Sequence, residues 1–237
     1  MPVICFASSK GGVGKTTSAI ILGTILMRHH RVTMIDTDPN QSLVSWSERA
    51  PVHARLKVIA SKGERSFIGE LDRAKAASDY VIIDTQGAGR SLTAIAMSES
   101  DLVIIPMGDE HEEAKQAVDT LVQLKREAMQ RNREIPVRIL FTRTKAAVKS
   151  RLQRSVNTQI RDKIGAFTTE LSERTAFAAL SAYGGSLYDL DVNEVSGVPK
   201  AIGNAELFVE ELKGVMGWID DIRGWSRPGA KEVNHGA

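Results

Sequence analysis

The residues best suited to chemistry lie near the start of the chain, in Ser9-Lys10-Gly11-Gly12-Val13-Gly14-Lys15-Thr16-Thr17. Glycines at this density let a backbone curl until successive N–H groups converge on one anion. Lys15 supplies a cation for β- and γ-phosphates, and the Thr16 hydroxyl suits Mg²⁺. An apolar run precedes the loop and a helix-forming stretch follows it, so the positive end of a helix dipole adds to the same field. Two further segments end in acids. Val32-Thr33-Met34-Ile35-Asp36-Thr37-Asp38-Pro39-Asn40 and Tyr80-Val81-Ile82-Ile83-Asp84 are apolar runs that stop on carboxylates. In α/β sheets the carboxyl ends of strands line the ligand crevice, which puts Asp36, Asp38 and Asp84 beside the loop. A plainer use of Asp36 and Asp38 is to cap a helix starting near Gln41.

Elements to position these residues are easy to find. Val3–Ala7, Val32–Asp36, Lys57–Ala60, Tyr80–Asp84, Leu102–Pro106 and Val137–Thr142 are nearly all apolar rather than alternating, as in strands covered on both faces. Helical stretches at Lys15–His30, Gln41–Arg49, Ser66–Ala77, Ser91–Ser98 and Glu112–Arg133 alternate with them. The expected fold class is α/β, a doubly wound and mainly parallel sheet of right-handed βαβ units. Beyond Thr142 the expectation is a basic helix (Val148–Ile164), a short strand (Ala166–Leu171), a helix near Thr175–Ala182 and a last helix over Ala205–Ile222. Residues 1–222 are expected to form one domain, with 223–237 a flexible tail.

The general phosphate loop has glycine where Ser9 stands and no fixed lysine at Lys10. The Lys-Gly-Gly-x-Gly-Lys-Thr-Thr form instead resembles the deviant Walker A loop of the ParA/MinD group, and the chain is similar to short ParA-type DNA-partitioning ATPases. That resemblance implies a P-loop NTPase of the deviant Walker A type, with ATP as substrate and Mg²⁺ as cofactor. Lys10, Gly11, Gly12, Val13, Gly14, Lys15, Thr16 and Thr17 would hold the nucleotide. Lys10 would reach across a nucleotide-sandwich dimer to the partner's phosphates, as an arginine finger does. Val32–Asn40 resembles the family's switch I, so Asp38 would position the attacking water and Asp36 would lie near the Mg²⁺ shell; Asn40 stands where the family usually has Gln. Asp84 resembles the Walker B acid, holding a metal-bound water. Thr85-Gln86-Gly87-Ala88-Gly89 falls at switch II, without the family's proline or second Asp. Thr142 and Arg143 follow a strand whose end commonly contacts the nucleotide base.

Composition narrows the partners. The chain carries 31 Lys and Arg against 29 Asp and Glu, a net charge of +2, with 42% hydrophobic residues and one cysteine, Cys5. One cysteine excludes an intramolecular disulfide and a Cys-cluster metal site, and suits a reducing cytoplasm. Between Lys125 and Lys163, twelve Lys and Arg face three acids. Such segregation is a footprint for phosphate backbone, and Lys145, Lys149, Arg151 and Arg154 are the candidate DNA contacts. The resemblance agrees, implying nonspecific DNA binding by the ATP-bound homodimer, a ParB-like centromere-binding partner that stimulates hydrolysis, and a nucleoid-associated place in the cytoplasm. The loop begins too early for the helix-turn-helix domain of larger ParA proteins. Alternatives are a VirC1-like accessory ATPase of DNA transfer, a MinD-like positioning ATPase, and a nucleotide-gated DNA scaffold with little turnover. A MinD-like anchor is disfavoured because the last helix sets acids opposite its apolar stripe of Phe208, Leu212, Val215, Ile219 and Ile222, so no membrane contact is expected.

Overall fold

The computed structural model describes residues 1–51, 53–87, 91–145 and 151–222. The chain opens with β1 (Val3–Phe6), α1 (Lys15–Leu26), β2 (Val32–Asp36), α2 (Ser42–Arg49), β3 (Leu56–Ala60), α3 (Glu64–Ala77), β4 (Tyr80–Asp84) and α4 (Ser91–Ser98). It continues through β5 (Leu102–Met107), α5 (His111–Gln130), β6 (Val137–Thr144), α6 (Arg151–Lys163), β7 (Leu171–Ser172), α7 (Thr175–Tyr183) and α8 (Val198–Ile222). The strands form one seven-stranded sheet in the order β3-β2-β4-β1-β5-β6-β7, every pair parallel. The expected α/β, doubly wound class is observed.

Alternate residues of each central strand enter opposite cores. Ile4, Phe6, Met34, Ile82, Ile104 and Leu140 pack with residues of α1, α2, α7 and α8. Val3, Cys5, Ile35, Ile83, Ile105 and Phe141 pack with those of α3, α4, α5 and α6. Burial on both sides explains why these strands are apolar throughout. Within α1, Gly23 lies flat on β2, since a Cβ there would meet Met34 Sδ at 2.6 Å.

Strand order reverses around β1. The chain leaves β1 for β2 and β3 on one side, returns to β4 beside β1, then crosses to β5 on the other. A crevice opens at the carboxyl ends there, where ligands of open α/β sheets bind. Phe6 pairs with Asp84 and Asp84 with Asp36, so both carboxylates stand level with the start of the glycine loop.

Differences from expectation gather late in the chain. Helix α8 starts at Val198 rather than Ala205, because Pro199 falls in its first turn, where a missing N–H costs nothing. Strand β6 runs on to Thr144 through a bulge with Arg143 at φ 54°, and β7 is only two residues, preceded by a lone bridge between Ile139 and Ala166. The apolar stripe of α8 is turned inward, with Phe208, Leu212 and Ile219 buried. Among the described residues no helix is long and apolar enough to cross a membrane. The expected tail, 223–237, lies outside the described residues.

Candidate nucleotide site

The glycine loop is braced before it turns. Ser9 N–H donates to Thr120 Oγ1 (2.9 Å) and the Ser9 hydroxyl to the Gln116 carbonyl (2.9 Å), tying the loop to α5. The departure from glycine at this position therefore has a structural use. Gly12 (φ 75°) and Gly14 (φ 90°) then take left-handed conformations that strain other residues. Gly14 is the N-cap of α1 with no side-chain cap, so the first N–H groups of that helix face the loop's concavity, as an anion receptor requires. Behind it, the Thr142 hydroxyl donates to the Val13 carbonyl at 2.7 Å.

Lys15 opens α1 and is buried; its ammonium donates to the Lys10 carbonyl at 2.9 Å. Burial pulls its pKa below the ordinary lysine value, against the opposing charges of Asp84 and Asp38. The Thr16 hydroxyl donates to Asp84 Oδ2 at 2.6 Å, while Asp84 Oδ1 is buried with no hydrogen-bond partner among the described residues. Burial drives the Asp84 pKa up to about 7, the Thr16 bond opposing and the Asp36 charge adding to it. A buried carboxylate with one orphaned oxygen beside a hydroxyl is short of a cation. The donor set is all oxygen, which suits Mg²⁺. Among the described residues no three acidic, histidine or cysteine side chains converge, so an ion here would take its other ligands from phosphate and water.

The helix-capping use of Asp36 is seen directly. The residue stands beside Asp84, and its oxygens accept backbone N–H groups of Asp38 (3.0 Å), Leu43 (2.9 Å) and Val44 (3.1 Å), which caps α2. Burial raises its pKa, and these three bonds oppose the rise. Asp38 does not cap α2. Its Oδ1 accepts Asn40 N–H (2.9 Å) in the turn ahead of that helix, and the half-buried carboxylate lines a cleft with Gln86. Gly87 crosses the loop, its missing Cβ 3.5 Å from Gly11 N. Ala88 and Gly89 lie outside the described residues.

A second cleft of about 340 Å³ opens beside α1, lined by Gly12, Thr16, Thr17, Thr142 and Arg143 together with Ser172, Arg174 and Phe177 from β7 and α7. Its lining is largely apolar, and it is of a size for a base and ribose. Arg143, however, turns its guanidinium to Glu113 (2.5 Å), and Lys10 lies 3.5 Å from the same carboxylate. Sequence reasoning missed Glu113, Gln116 and Thr120. The available signal was helical spacing, since Glu113, Ala117, Thr120 and Leu124 fall on one buried face of α5.

The basic segment looks different in space. Arg131 pairs with Glu99, Arg133 with Asp101, Arg143 with Glu113, and Arg161 with Glu170, all acids from outside the Lys125–Lys163 stretch. Those four arginines are paired within the fold, so part of the positive charge of the stretch is already met by carboxylates. Of the candidate DNA contacts, Lys145 is exposed and 3.9 Å from Glu173, and Arg154 is exposed. Arg151 opens α6, its side chain outside the described set, and Lys149 lies outside the described residues.

The fold, the doubly lysine-flanked loop and the two strand-end acids define a P-loop nucleotide-binding protein of the ParA/MinD deviant Walker A class. The chain belongs to the VirC1 protein family, whose model matches residues 1–220. It is 32% identical to protein ParA of Rhizobium radiobacter over 212 residues, 88% of this chain and 94% of that one. Apo McdA of Cyanothece superposes with a TM-score of 0.69 at 19% identity, over 90% of this chain and 99% of McdA. A plasmid partition protein of Borrelia burgdorferi B31, solved with AMPPNP, gives a TM-score of 0.67 at 23% identity, over 90% and 99%.

Proposed function

We propose that the chain is a Mg²⁺-dependent ATPase of the partition type, in which ATP binding drives a sandwich dimer that holds DNA without sequence preference and hydrolysis releases it. The observation that carries this reading is the juxtaposition of the Lys15 ammonium, the Thr16–Asp84 pair and the orphaned Asp84 oxygen at one helix N-terminus. Backbone N–H groups from Lys10 to Thr17 cradle the phosphates, and Lys15 leaves the Lys10 carbonyl to neutralise them. Thr16 and Asp84, with Asp36 behind, would hold Mg²⁺, which would supply positive charge against the phosphates. Asp38 orients the attacking water from the switch loop, and phosphoryl transfer asks for little beyond such positioning and charge. Lys10 of each copy reaches the other's γ-phosphate and adds the last cation. Thr142 braces the loop, and the cleft beside it takes the base.

The 32% identity to a ParA protein supports partition, with a ParB-like protein as the partner that accelerates hydrolysis. The match to the VirC1 family model supports a second reading, an accessory ATPase of DNA transfer that uses the same cycle. The test is Lys10→Ala. Monomeric ATP binding should survive in calorimetry, while ATP-dependent dimerisation in sedimentation and phosphate release both fail. A variant that dimerises and turns over like the parent sinks the in-trans cycle. Recovery of a centromere-binding protein or of a transfer relaxase with the ATP-bound dimer separates the two readings.

A further inference from the structure

Glu113 is a buried carboxylate with its side chain only 2% exposed, and it gathers three donors from three separate segments. Oε2 accepts the Gly108 N–H just beyond β5. Oε1 accepts the Arg143 guanidinium at 2.5 Å and lies 3.5 Å from Lys10 Nζ. The two cations are therefore unequal partners of one oxygen. Arg143 is close, while Lys10 is at the limit of a hydrogen bond and one-third exposed. The arrangement is built rather than incidental. Arg143 takes φ 54° at a bulge in β6, a conformation non-glycine residues adopt at a cost and keep where something else requires it. Gly108 leaves no room for a Cβ between itself and the Glu113 carboxylate.

We infer that Glu113 is the resting dock of Lys10, and that Arg143 is the cation that lets Lys10 leave it. This rests on the proposed in-trans role of Lys10. To reach a partner's phosphate, Lys10 must abandon a buried carboxylate. With Lys10 as its sole counter-ion, that departure would strand a buried charge, which is strongly disfavoured. Arg143 stays behind and keeps the carboxylate paired. Because both cations approach one oxygen, Arg143 also repels Lys10 and loosens its hold. Glu113 and Arg143 are positioning residues that set how readily Lys10 becomes available to a second copy.

The experiment measures dimerisation of the full chain with Mg²⁺ and a non-hydrolysable ATP analogue, beside calorimetric analogue affinity under monomeric conditions. Arg143→Gln should weaken dimerisation about tenfold or more, near 1.4 kcal/mol, because Lys10 becomes the only cation on Glu113. Adding Glu113→Gln to it should restore dimerisation to within about threefold of the parent, since no buried charge remains to hold the lysine. Glu113→Gln alone should dimerise at least as well as the parent, and Arg143→Lys should keep most of the parental behaviour, showing that charge rather than fold is at issue. Parental dimerisation by Arg143→Gln overturns the inference. So does a double variant as weak as Arg143→Gln, which would mark Arg143 as a direct nucleotide contact. A parent that fails to dimerise at all overturns the proposed cycle, an outcome distinct from either.

Discussion

The glycine loop and the Lys125–Lys163 segment are both rich in cations, yet they use them in opposite ways. In the loop, Lys15 is buried beside buried acids, and it donates to a carbonyl that a phosphate can displace. In the basic segment, Arg131, Arg133, Arg143 and Arg161 are matched to carboxylates on other elements. Charge held in reserve against burial marks a binding site. In the basic segment, charge already neutralised by a neighbour marks a joint. Local density of Lys and Arg does not distinguish them; the identity of the partner does.

The sharpest way to break this contrast is at Lys15. Lys15→Ala should lower ATP affinity about a thousandfold in calorimetry, because a desolvated triphosphate loses a charge-assisted partner. A loss below about tenfold would deny that the loop holds its cation for phosphate. Next comes Asp38→Ala, which should slow ATP hydrolysis by about 10²–10⁴-fold with ATP binding retained, as expected for removal of a group that positions the nucleophile. Turnover at the parental rate would remove Asp38 from the chemistry.

Asp84 offers a pH test without nucleotide. Its folded pKa of about 7 stands above the ordinary 3.8, so the folded state binds the proton more tightly than the unfolded. The associated stability is complete below pH 4 and is lost as pH rises through 7. Asp84→Asn should therefore stabilise the metal- and nucleotide-free protein at pH 8 by on the order of 2–4 kcal/mol, the gain fading towards pH 4 in denaturant titrations. A gain equal at both pH values would show that burial of the charge is not its source.

The smallest effects separate joints from exposed charges inside the basic segment. Arg133 bonds the Ser98 and Ser100 carbonyls and Asp101, so Arg133→Ala should cost about 1–3 kcal/mol of stability and leave the salt dependence of DNA binding alone. Exposed Arg154 should do the reverse, with Arg154→Ala lowering the slope of log affinity against log salt by about 0.9 per phosphate contact and leaving thermal unfolding unmoved. Equal responses from the two would mean that pairing does not decide which cations are available.

How much of this the residues disclose depends on whether a feature is contiguous. The strands were legible because two-sided burial writes itself as unbroken apolar runs such as Tyr80–Asp84. The loop was legible because its glycines, lysines and threonines are sequence neighbours. Glu113 was not, since one acid among the many charges of α5 acquires meaning only when Gly108 and Arg143 arrive from other segments. The cleft beside α1 was equally hidden, because Ser172, Arg174 and Phe177 reach it from a two-residue strand and a helix far along the chain. Pairing of Arg133 with Asp101, on another segment, likewise left no local trace.

Helix α2 has a mechanical consequence of its own. Asp36 grips its first turn through the Leu43 and Val44 N–H groups. At its other end Trp46 Nε1 donates to the Gly185 carbonyl (3.1 Å), Arg49 donates to the Ser181 carbonyl, and Gly184 abuts Arg49 with no space for a Cβ. Eight residues of hydrogen-bonded helix between two such grips make a tie rod with little slack. Helix α2 thus ties the loop after β2 to the turn after α7, the helix whose Phe177 walls the cleft beside α1.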